Sequence, residues 1–277
     1  MPEADLHVHT SFSDGKLTPY QVIETACSRG LAAVGITDHD TMKGIPPALW
    51  AGRKLNMEVV PGVELSTYFI GKEIHILGYY CQSENPLLKN TLSIIRMDRY
   101  NRIIKMLALL KKNGVDLDFK DVLEVAGGGD SLGRPHLAVA LCQKGFCRTP
   151  GEAFQRFLSK GKPAFVKRLK ISSPVAIQLI RRSGGIAVLA HPKLYRKDSV
   201  IPLLARYGLA GIEVFHPDHR RVDCRRYNLF AQKLQLIITG GSDFHGHNAA
   251  SLAAPGDVTV SYYCLEALKR AAGVYRV

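Results

Sequence analysis

Seven short apolar runs constrain the fold of this chain more than any other feature of its sequence. Each is four to eight residues long, and helical patterns lie between most of them. Runs of this kind indicate buried parallel strands. Strands that alternate with helices predict a barrel-like α/β fold, for which 277 residues are sufficient. The predicted strands are Ala4–His9, Ala33–Thr37, Met57–Glu64, Ile74–Tyr80, Ile186–Ala190, Gly211–Phe215 and Leu236–Thr239.

The alternation stops between about Pro86 and Lys170, where the pattern predicts only helices. Leu87–Asn113 carries apolar residues at helical spacing, and three shorter helices are predicted at Lys120–Ala126, Pro135–Lys144 and Pro150–Ser159. The sequence therefore predicts a barrel domain made of residues 1–85 and 171–277. A small helical insert domain, residues 86–170, would lie beside the barrel mouth.

The charge of the chain is concentrated in this predicted insert. The formal net charge is +13, and the segment from Glu84 to Lys170 holds 17 Lys and Arg against 8 Asp and Glu, a surplus of nine. Such a surplus favours an anionic partner, either a phosphorylated substrate or a nucleic acid. No membrane span or signal peptide is visible, and no obligatory protein partner is evident, so a cytoplasmic location is expected.

Potential metal ligands follow the predicted strands, mostly at their carboxyl ends. His7 and His9 are two residues apart on a strand and so share a face, which makes them a ready clamp for a metal ion. Barrels of this kind place their chemistry at the carboxyl ends of the strands. The other candidates in such positions are Asp14, His39, Glu64, His191, Asp243 and His245.

His75 is a weaker candidate, because it lies near the start of its apolar run. Spacing alone favours a buried structural histidine. A short hairpin from Glu64 through Gly71 would bring it back to the same pocket. With His75 there are roughly nine candidate ligands, too many for one tetrahedral ion, so two or three ions are expected. Imidazole and carboxylate ligands without thiolate suit zinc, manganese or iron.

Five sequence motifs together resemble the PHP (polymerase and histidinol phosphatase) family. The resemblance covers residues 5 to about 246 and implies a distorted TIM-like (β/α)7 barrel that holds a trinuclear metal centre. It also implies a metal-dependent phosphoesterase in which a hydroxide bridging the metals attacks phosphorus. The motifs are Asp5-Leu-His-Val-His9, Thr37-Asp-His-Asp40, Gly62-Val-Glu64, Leu189-Ala-His-Pro192 and Gly241-Ser-Asp-Phe-His245.

The resemblance also implies how the ligands are shared among three ions. One ion would be held by His7, His9 and Asp243, with Glu64 bridging to a second. His75 and His191 would complete the second site, and His191 is also assigned a catalytic role. The third site would consist of Asp14, His39 and His245.

A closer resemblance is to the subgroup whose helical insert contains Gly133-Arg-Pro-His136. It implies hydrolysis of nucleotide phosphates: removal of the 3′-phosphate from 3′,5′-bisphosphonucleotides, 5′-to-3′ trimming of short RNA, or both. Arg134 is the expected catalytic phosphate clamp, since guanidinium offers two parallel donors to phosphate oxygens. The alternative for Arg134 is a surface arginine before a helix. His136 and His219 are further candidates for phosphate binding, but a role on the helix surface suits His136 equally well.

Two other functions stay open at this point. One is hydrolysis of a small phosphate ester, as by a histidinol phosphatase. The other is a nucleic-acid-binding or proofreading PHP module. The arginines Arg220, Arg221, Arg225 and Arg226 are interpreted as a solvated helix face.

Overall fold

Eight strands form a nearly closed barrel, and a ninth, β5, pairs with β3 beside them. The computed structural model describes residues 1–127, 129, 131–246 and 254–274. The order of hydrogen-bonded neighbours is β8-β7-β6-β4-β3-β2-β1-β9. A bridge between Val8 and Phe244 brings β1 towards the end of β8. The strands are β1 Glu3–Val8, β2 Ala33–Ile36, β3 Glu58–Phe69, β4 Lys72–Tyr79, β5 Ile171–Ser172, β6 Ile186–Leu189, β7 Gly211–Phe215, β8 Ile237–Gly240 and β9 Val260–Ser261.

All seven predicted strands are confirmed, but the expectation that they are all parallel is wrong for β4. This strand pairs antiparallel with β3 and with β6. The reversal occurs at Ile70 and Gly71, both of which have positive φ. It gives the hairpin that the sequence suggested, and it points the start of β4 towards the carboxyl ends of its neighbours.

Helices cover the barrel and follow the predicted helical patterns. Helix α1 begins after Thr18, whose hydroxyl accepts from the backbone N–H of Gln21, and Pro19 occupies the first turn. The helices are α1 Pro19–Ser28, α2 Ile45–Leu55, α3 Pro86–Lys112, α4 Phe119–Ala126, α5 Arg134–Gln143, α6 Pro150–Ala153, α7 Ser173–Arg182, α8 Val200–Arg206, α9 Arg221–Leu234 and α10 Tyr262–Ala272. A π-helical turn, Phe154–Leu158, extends α6, and a 3-10 helix, Pro192–Tyr195, follows β6.

The helical segment between β4 and β5 packs around a hydrophobic core of its own. Ile103, Met106 and Leu110 of α3 contribute to it, together with Leu137 and Leu141 of α5. In the part of this segment that the structure describes, every regular element is helical. The boundaries of the insert domain at 86 and 170 stay a prediction.

None of the helices in the described residues is long and apolar enough to cross a membrane. The cytoplasmic location expected from the sequence stays a prediction.

Candidate active site

Four side chains, from the end of β1, from β3 and from the loop after β8, converge at the centre of the barrel mouth. The Nε2 atoms of His7 and His9 lie 3.2 Å apart, and both side chains are fully buried. Asp243 Oδ1 lies 3.3 Å from the first and 3.1 Å from the second. Glu64 Oε2 is 3.5 Å and 3.2 Å from the same two atoms. Four ligand atoms facing one point form a cage of the size that a metal ion needs.

A second group of ligand atoms is formed by His9, Asp14, His39 and His245. Asp14 Oδ1 lies 3.4 Å from His245 Nε2. The rings of His9 and His245 stack with their centroids 4.0 Å apart. The family resemblance implied a group of Asp14, His39 and His245, and the structure adds His9 to their surroundings.

Glu64 connects these groups to a third one. Its Oε1 lies 2.8 Å from His75 Nδ1 and 3.0 Å from His191 Nε2, while its Oε2 lies 2.9 Å from His39 Nδ1. His75 reaches the site because β4 runs antiparallel, so that its early residues stand at the mouth of the barrel. All nine predicted ligands therefore lie together.

Buried polar atoms that face one another without forming hydrogen bonds are evidence that these residues fit metal ions. Among the described residues, the buried atoms that make no hydrogen bond include one atom of each of five candidate ligands. An unpaired buried polar atom is costly, and such atoms normally find a partner. The five atoms are His9 Nδ1, Asp14 Oδ1, His39 Nδ1, Glu64 Oε2 and Asp243 Oδ1.

The electrostatics keep the carboxylates ionised. Burial alone would raise the pKa of Glu64, but the charges of His39 and His75 hold its pKa well below the ordinary value. Burial also opposes ionisation of Asp14 and Asp243, and the neighbouring histidines again hold both pKa values well below normal. Ionised carboxylates are the state that a divalent ion requires.

Glu213 is a buried carboxylate at this site that sequence reasoning missed. Its Oε1 lies 2.9 Å from His7 Nδ1, and its Oε2 accepts the backbone N–H of His191 at 2.7 Å. Glu213 is fully buried. The sequence feature that could have indicated it is a single acidic residue within the apolar run Gly211–Phe215.

Two aspartates beside His39 hold surrounding loops in place. Asp38 accepts the backbone N–H and the hydroxyl of Thr10, both at 2.7 Å, and the hydroxyl of Ser13 at 2.6 Å. It thereby fixes the loop that carries Asp14. Asp40 accepts the backbone N–H of Ser66 and pairs with Arg99 of α3.

Arg134 lies within a cluster of four arginines between the helical segment and the barrel. Its Nη1 donates to Leu158 O at 3.3 Å, and its guanidinium lies over the ring of Phe154. Burial, followed by repulsion from the other three arginines, lowers the pKa of Arg102 to about 10. The members of this arginine cluster are Arg99, Arg102, Arg134 and Arg168.

Two acids face the arginine cluster. Asp40 pairs with Arg99, and Glu73 pairs with Arg168 and also lies 3.9 Å from His75 Nε2. These contacts place the cluster next to the candidate metal ligands and leave it with a positive surplus.

The remaining candidates are buried near the site. His136 Nδ1 accepts the backbone N–H of Gly133 at 3.0 Å, which fixes the turn that presents Arg134. His219 Nδ1 lies 2.8 Å from Val214 O. His216, not assigned a ligand role, lies 3.3 Å from Asp243 Oδ2 and orients that carboxylate. Phosphate binding by His136 and His219 stays a prediction.

The sequence of this chain matches a known protein family. The sequence profile of the PHP domain matches residues 5–158, more than half of the chain. The chain belongs to the PHP domain family. The PHP fold accounts for the ring of strands and for the His, Asp and Glu residues at its mouth.

Three relatives of this PHP chain are phosphoester hydrolases by name. A phosphoribosyl 1,2-cyclic phosphate 1,2-diphosphodiesterase from Eggerthella lenta is 34% identical, over 87% of this chain and 94% of the relative. A 5′-3′ exoribonuclease from Haemophilus influenzae is 32% identical, over 87% and 89%. A 3′,5′-nucleoside bisphosphate phosphatase from Chromobacterium violaceum is 32% identical, over 88% of each.

A crystal structure of a similar fold also belongs to a protein described as a phosphoesterase. A putative metal-dependent phosphoesterase from Bifidobacterium adolescentis has a TM-score of 0.89 and is 28% identical, covering 97% of this chain and 96% of that chain. The PHP chain is therefore a metal-dependent phosphoester hydrolase, as the sequence predicted. The identity and number of the ions, and the role of each residue, belong to the proposal below.

Proposed function

We propose that this PHP chain hydrolyses the bond between O3′ and phosphorus in nucleotides that carry a 5′-phosphate. The substrates are 3′,5′-bisphosphonucleotides, the 5′ end of short RNA, or both. These two substrates present the same first nucleotide and differ only in what the 3′-phosphorus carries. One site can therefore serve both.

The arginine cluster beside the ligand cage carries this proposal. It consists of four guanidinium groups at one edge of the cage, and among the described residues two acids, Asp40 and Glu73, pair with them. Guanidinium groups bind phosphate with two parallel hydrogen bonds. The 5′-phosphate would lie on the arginine cluster, while the 3′-phosphorus faces the ligand cage.

The activities by which the relatives are named support a second phosphate as the common feature. One name contains a phosphoribosyl group with a cyclic phosphate, and another contains a nucleoside with two phosphates. The third is a ribonuclease. A site that binds one phosphate and acts on another suits all three.

The nine ligands fit two or three divalent ions of manganese, zinc or iron. His7, His9, Asp243 and Glu64 would hold one, Glu64, His75 and His191 a second, and Asp14, His39 and His245 a third. When bound, such ions supply Lewis acidity and lower the pKa of a water molecule.

The protein groups bind and orient the substrate around this chemistry. Arg134 and its neighbours fix the 5′-phosphate, which places the 3′-phosphorus at the ligand cage and makes attack effectively intramolecular. His191 stands beside Glu64 on the β6 side of the cage. In the reaction a water oxygen adds to phosphorus, the bond to O3′ breaks, and O3′ takes up a proton.

A hydrolysis assay with manganese tests the proposal. We compare a 3′,5′-bisphosphonucleotide with the corresponding 3′-monophosphate, using the wild type, Arg134→Ala and the exposed control Arg148→Ala. Loss of a charged hydrogen bond of about 1.5–3 kcal/mol predicts a loss of roughly 10- to 100-fold in kcat/KM for the bisphosphate in Arg134→Ala. The 3′-monophosphate should be hydrolysed equally slowly by all three proteins.

Other outcomes would contradict the proposal. Equal turnover of the bisphosphate and the 3′-monophosphate by the wild type would show that the 5′-phosphate is not bound. Preferential hydrolysis of histidinol phosphate would favour a small-molecule phosphatase instead.

A further inference from the structure

A cavity of about 620 Å³ opens on the barrel rim where the segments after β6 and β7 meet. Four cationic and three acidic side chains line it, together with Leu194 and Tyr227. The cationic ones are Lys193, Arg196, Arg220 and Arg226, and the acidic ones are Asp198, Asp218 and Asp223. We call it the rim cavity.

The acidic side chains of the rim cavity hold its walls together. Asp223 pairs with Lys193 at 3.0 Å and with Arg226 at 3.1 Å. Asp198 pairs with Arg226 at 3.0 Å. These contacts tie α9 to the segment that follows β6, and they engage two of the three acids.

Two arginines are then left to meet a ligand. Arg196 makes no ion pair with any residue that the structure describes. The side chain of Arg220 is 77% exposed, and it approaches Asp223 only at 3.6 Å. With Asp218 as the remaining acid, the lining keeps a surplus of one positive charge, carried to the solvent by Arg196 and Arg220. A positive surplus favours binding of an anion.

Contacts of aromatic rings connect the rim cavity to the ligand cage. His216 lies 3.3 Å from Asp243 Oδ2, and its ring centroid is 5.3 Å from that of His219. His219 in turn lies 5.1 Å from the ring of Tyr227, which lines the cavity. The Nε2 atom of His219 is buried without a hydrogen-bond partner among the described residues.

The rim cavity and the arginine cluster lie on different sides of the ligand cage. The arginine cluster contacts the barrel through Asp40, after β2, and through Glu73, on β4. The rim cavity follows β6 and β7 in the strand order. A nucleotide held by its 5′-phosphate on the first side would direct whatever follows its 3′-phosphorus towards the second.

We propose that the rim cavity binds the RNA strand on the 3′ side of the hydrolysed bond, with Arg196 and Arg220 contacting its backbone phosphates. This inference rests on the proposed function and adds that the substrate extends beyond one nucleotide. A 3′,5′-bisphosphonucleotide ends at its 3′-phosphate and does not reach the cavity. Arg220, at the start of the arginine-rich segment after β7, would thus contribute to a substrate site.

The test compares two substrates in the full-length protein with manganese. They are a 3′,5′-bisphosphonucleotide and a 5′-phosphorylated pentaribonucleotide. The variant is Arg196→Ala/Arg220→Ala, and the matched control is Arg53→Ala/Arg206→Ala, which removes two exposed arginines elsewhere. Thermal melting checks that both variants are folded.

The double variant should lower kcat/KM for the pentaribonucleotide severalfold, mainly through KM, and leave the bisphosphonucleotide unchanged. Each phosphate contact to a single strand contributes about 0.7 to the slope of log affinity against log salt. Loss of two contacts should therefore reduce this slope for the pentaribonucleotide by about 1.4. The control should behave as the wild type does with both substrates.

Three results would overturn the inference. They are equal losses with both substrates, an unchanged salt slope, and a wild type that hydrolyses the bisphosphonucleotide but no RNA. In each of them the proposed function stands, because the bisphosphonucleotide is still hydrolysed by the wild type. A wild type that hydrolyses neither of the two substrates would instead reject the proposed function, and this inference with it.

Discussion

Glu64 contacts more of the candidate ligands than any other residue described above. One oxygen faces His75 and His191, and the other faces His7, His9 and His39. It is fully buried, so the interactions of its charge are screened little by water. A carboxylate so placed suits the bridging role between two ions that the proposed function assigns to it.

Glu213 should control how tightly the first ion is held. By accepting the Nδ1 proton of His7 it leaves Nε2 free to bind metal, and it also holds the backbone of His191. We expect Glu213→Ala to lower manganese affinity by roughly 10- to 100-fold, as for other partners of metal-bound histidines. Equilibrium dialysis followed by elemental analysis measures this.

A conservative change separates this role from simple packing. Glu213→Gln keeps the volume of the side chain and should retain more metal than Glu213→Ala, while the exposed control Glu24→Gln should match the wild type. Unchanged metal affinity in Glu213→Ala would refute a positioning role.

The sequence revealed most candidate ligands because they follow predicted strands. His75 could not be placed by spacing alone, since its position depends on the direction of β4, which only the β3–β4 hairpin determines. Glu213 was missed because a buried acid within an apolar run has no chemical meaning until its partners are known. Contacts such as His7 with Glu213, 206 residues apart, are not visible in local patterns.

At the scale of secondary-structure elements, ion pairs to Asp40 and Glu73 join the helical segment to the barrel. Arg99 of α3 pairs with Asp40 and also donates to Leu132 O at 3.1 Å. Arg168, before β5, pairs with Glu73 on β4. The helix positions and the hydrophobic core of this segment could be predicted from periodicity. Its attachment could not, because it depends on which arginines meet buried acids.

Breaking the first of these pairs should destabilise the protein. The side chains of Asp40 and Arg99 are 1% and 8% exposed. Removing one partner of a buried pair typically costs about 3–5 kcal/mol, because the other charge stays buried. We therefore expect Asp40→Asn to lower the free energy of unfolding by about 3 kcal/mol, measured by denaturant titration.

The double variant Asp40→Asn/Arg99→Met provides the control, since it removes both charges. Its loss in free energy of unfolding should be smaller than the sum of the losses of the two single variants. Strict additivity would show that the two side chains are not energetically coupled.

For the whole molecule, metal ions should stabilise the fold as well as enable the reaction. The candidate ligands come from six strands or the loops after them, so an ion bound among them links most of the barrel. A ligand present at 100 times its dissociation constant stabilises the native state by about 2.7 kcal/mol. For a chain of this size we expect manganese to raise the Tm by roughly 5 °C relative to the chelated protein.

Calorimetry with and without a chelator measures this shift. Activity should disappear with chelation and return with manganese. Glu64→Gln should show a much smaller rise in Tm, since it removes the shared carboxylate. A Tm that does not respond to manganese in the wild type would contradict the proposed centre.

The meeting of Val8 with Phe244 has a further consequence for how the enzyme is made. His9 donates its backbone N–H to Phe244 O at 3.0 Å, so the end of β1 meets the segment after β8 at the ligand cage. Asp243 and His245 leave the ribosome long after His7 and His9. A nascent chain must therefore carry an incomplete ligand set through almost all of its synthesis, and it gains activity only when β8 has been released and has docked beside β1.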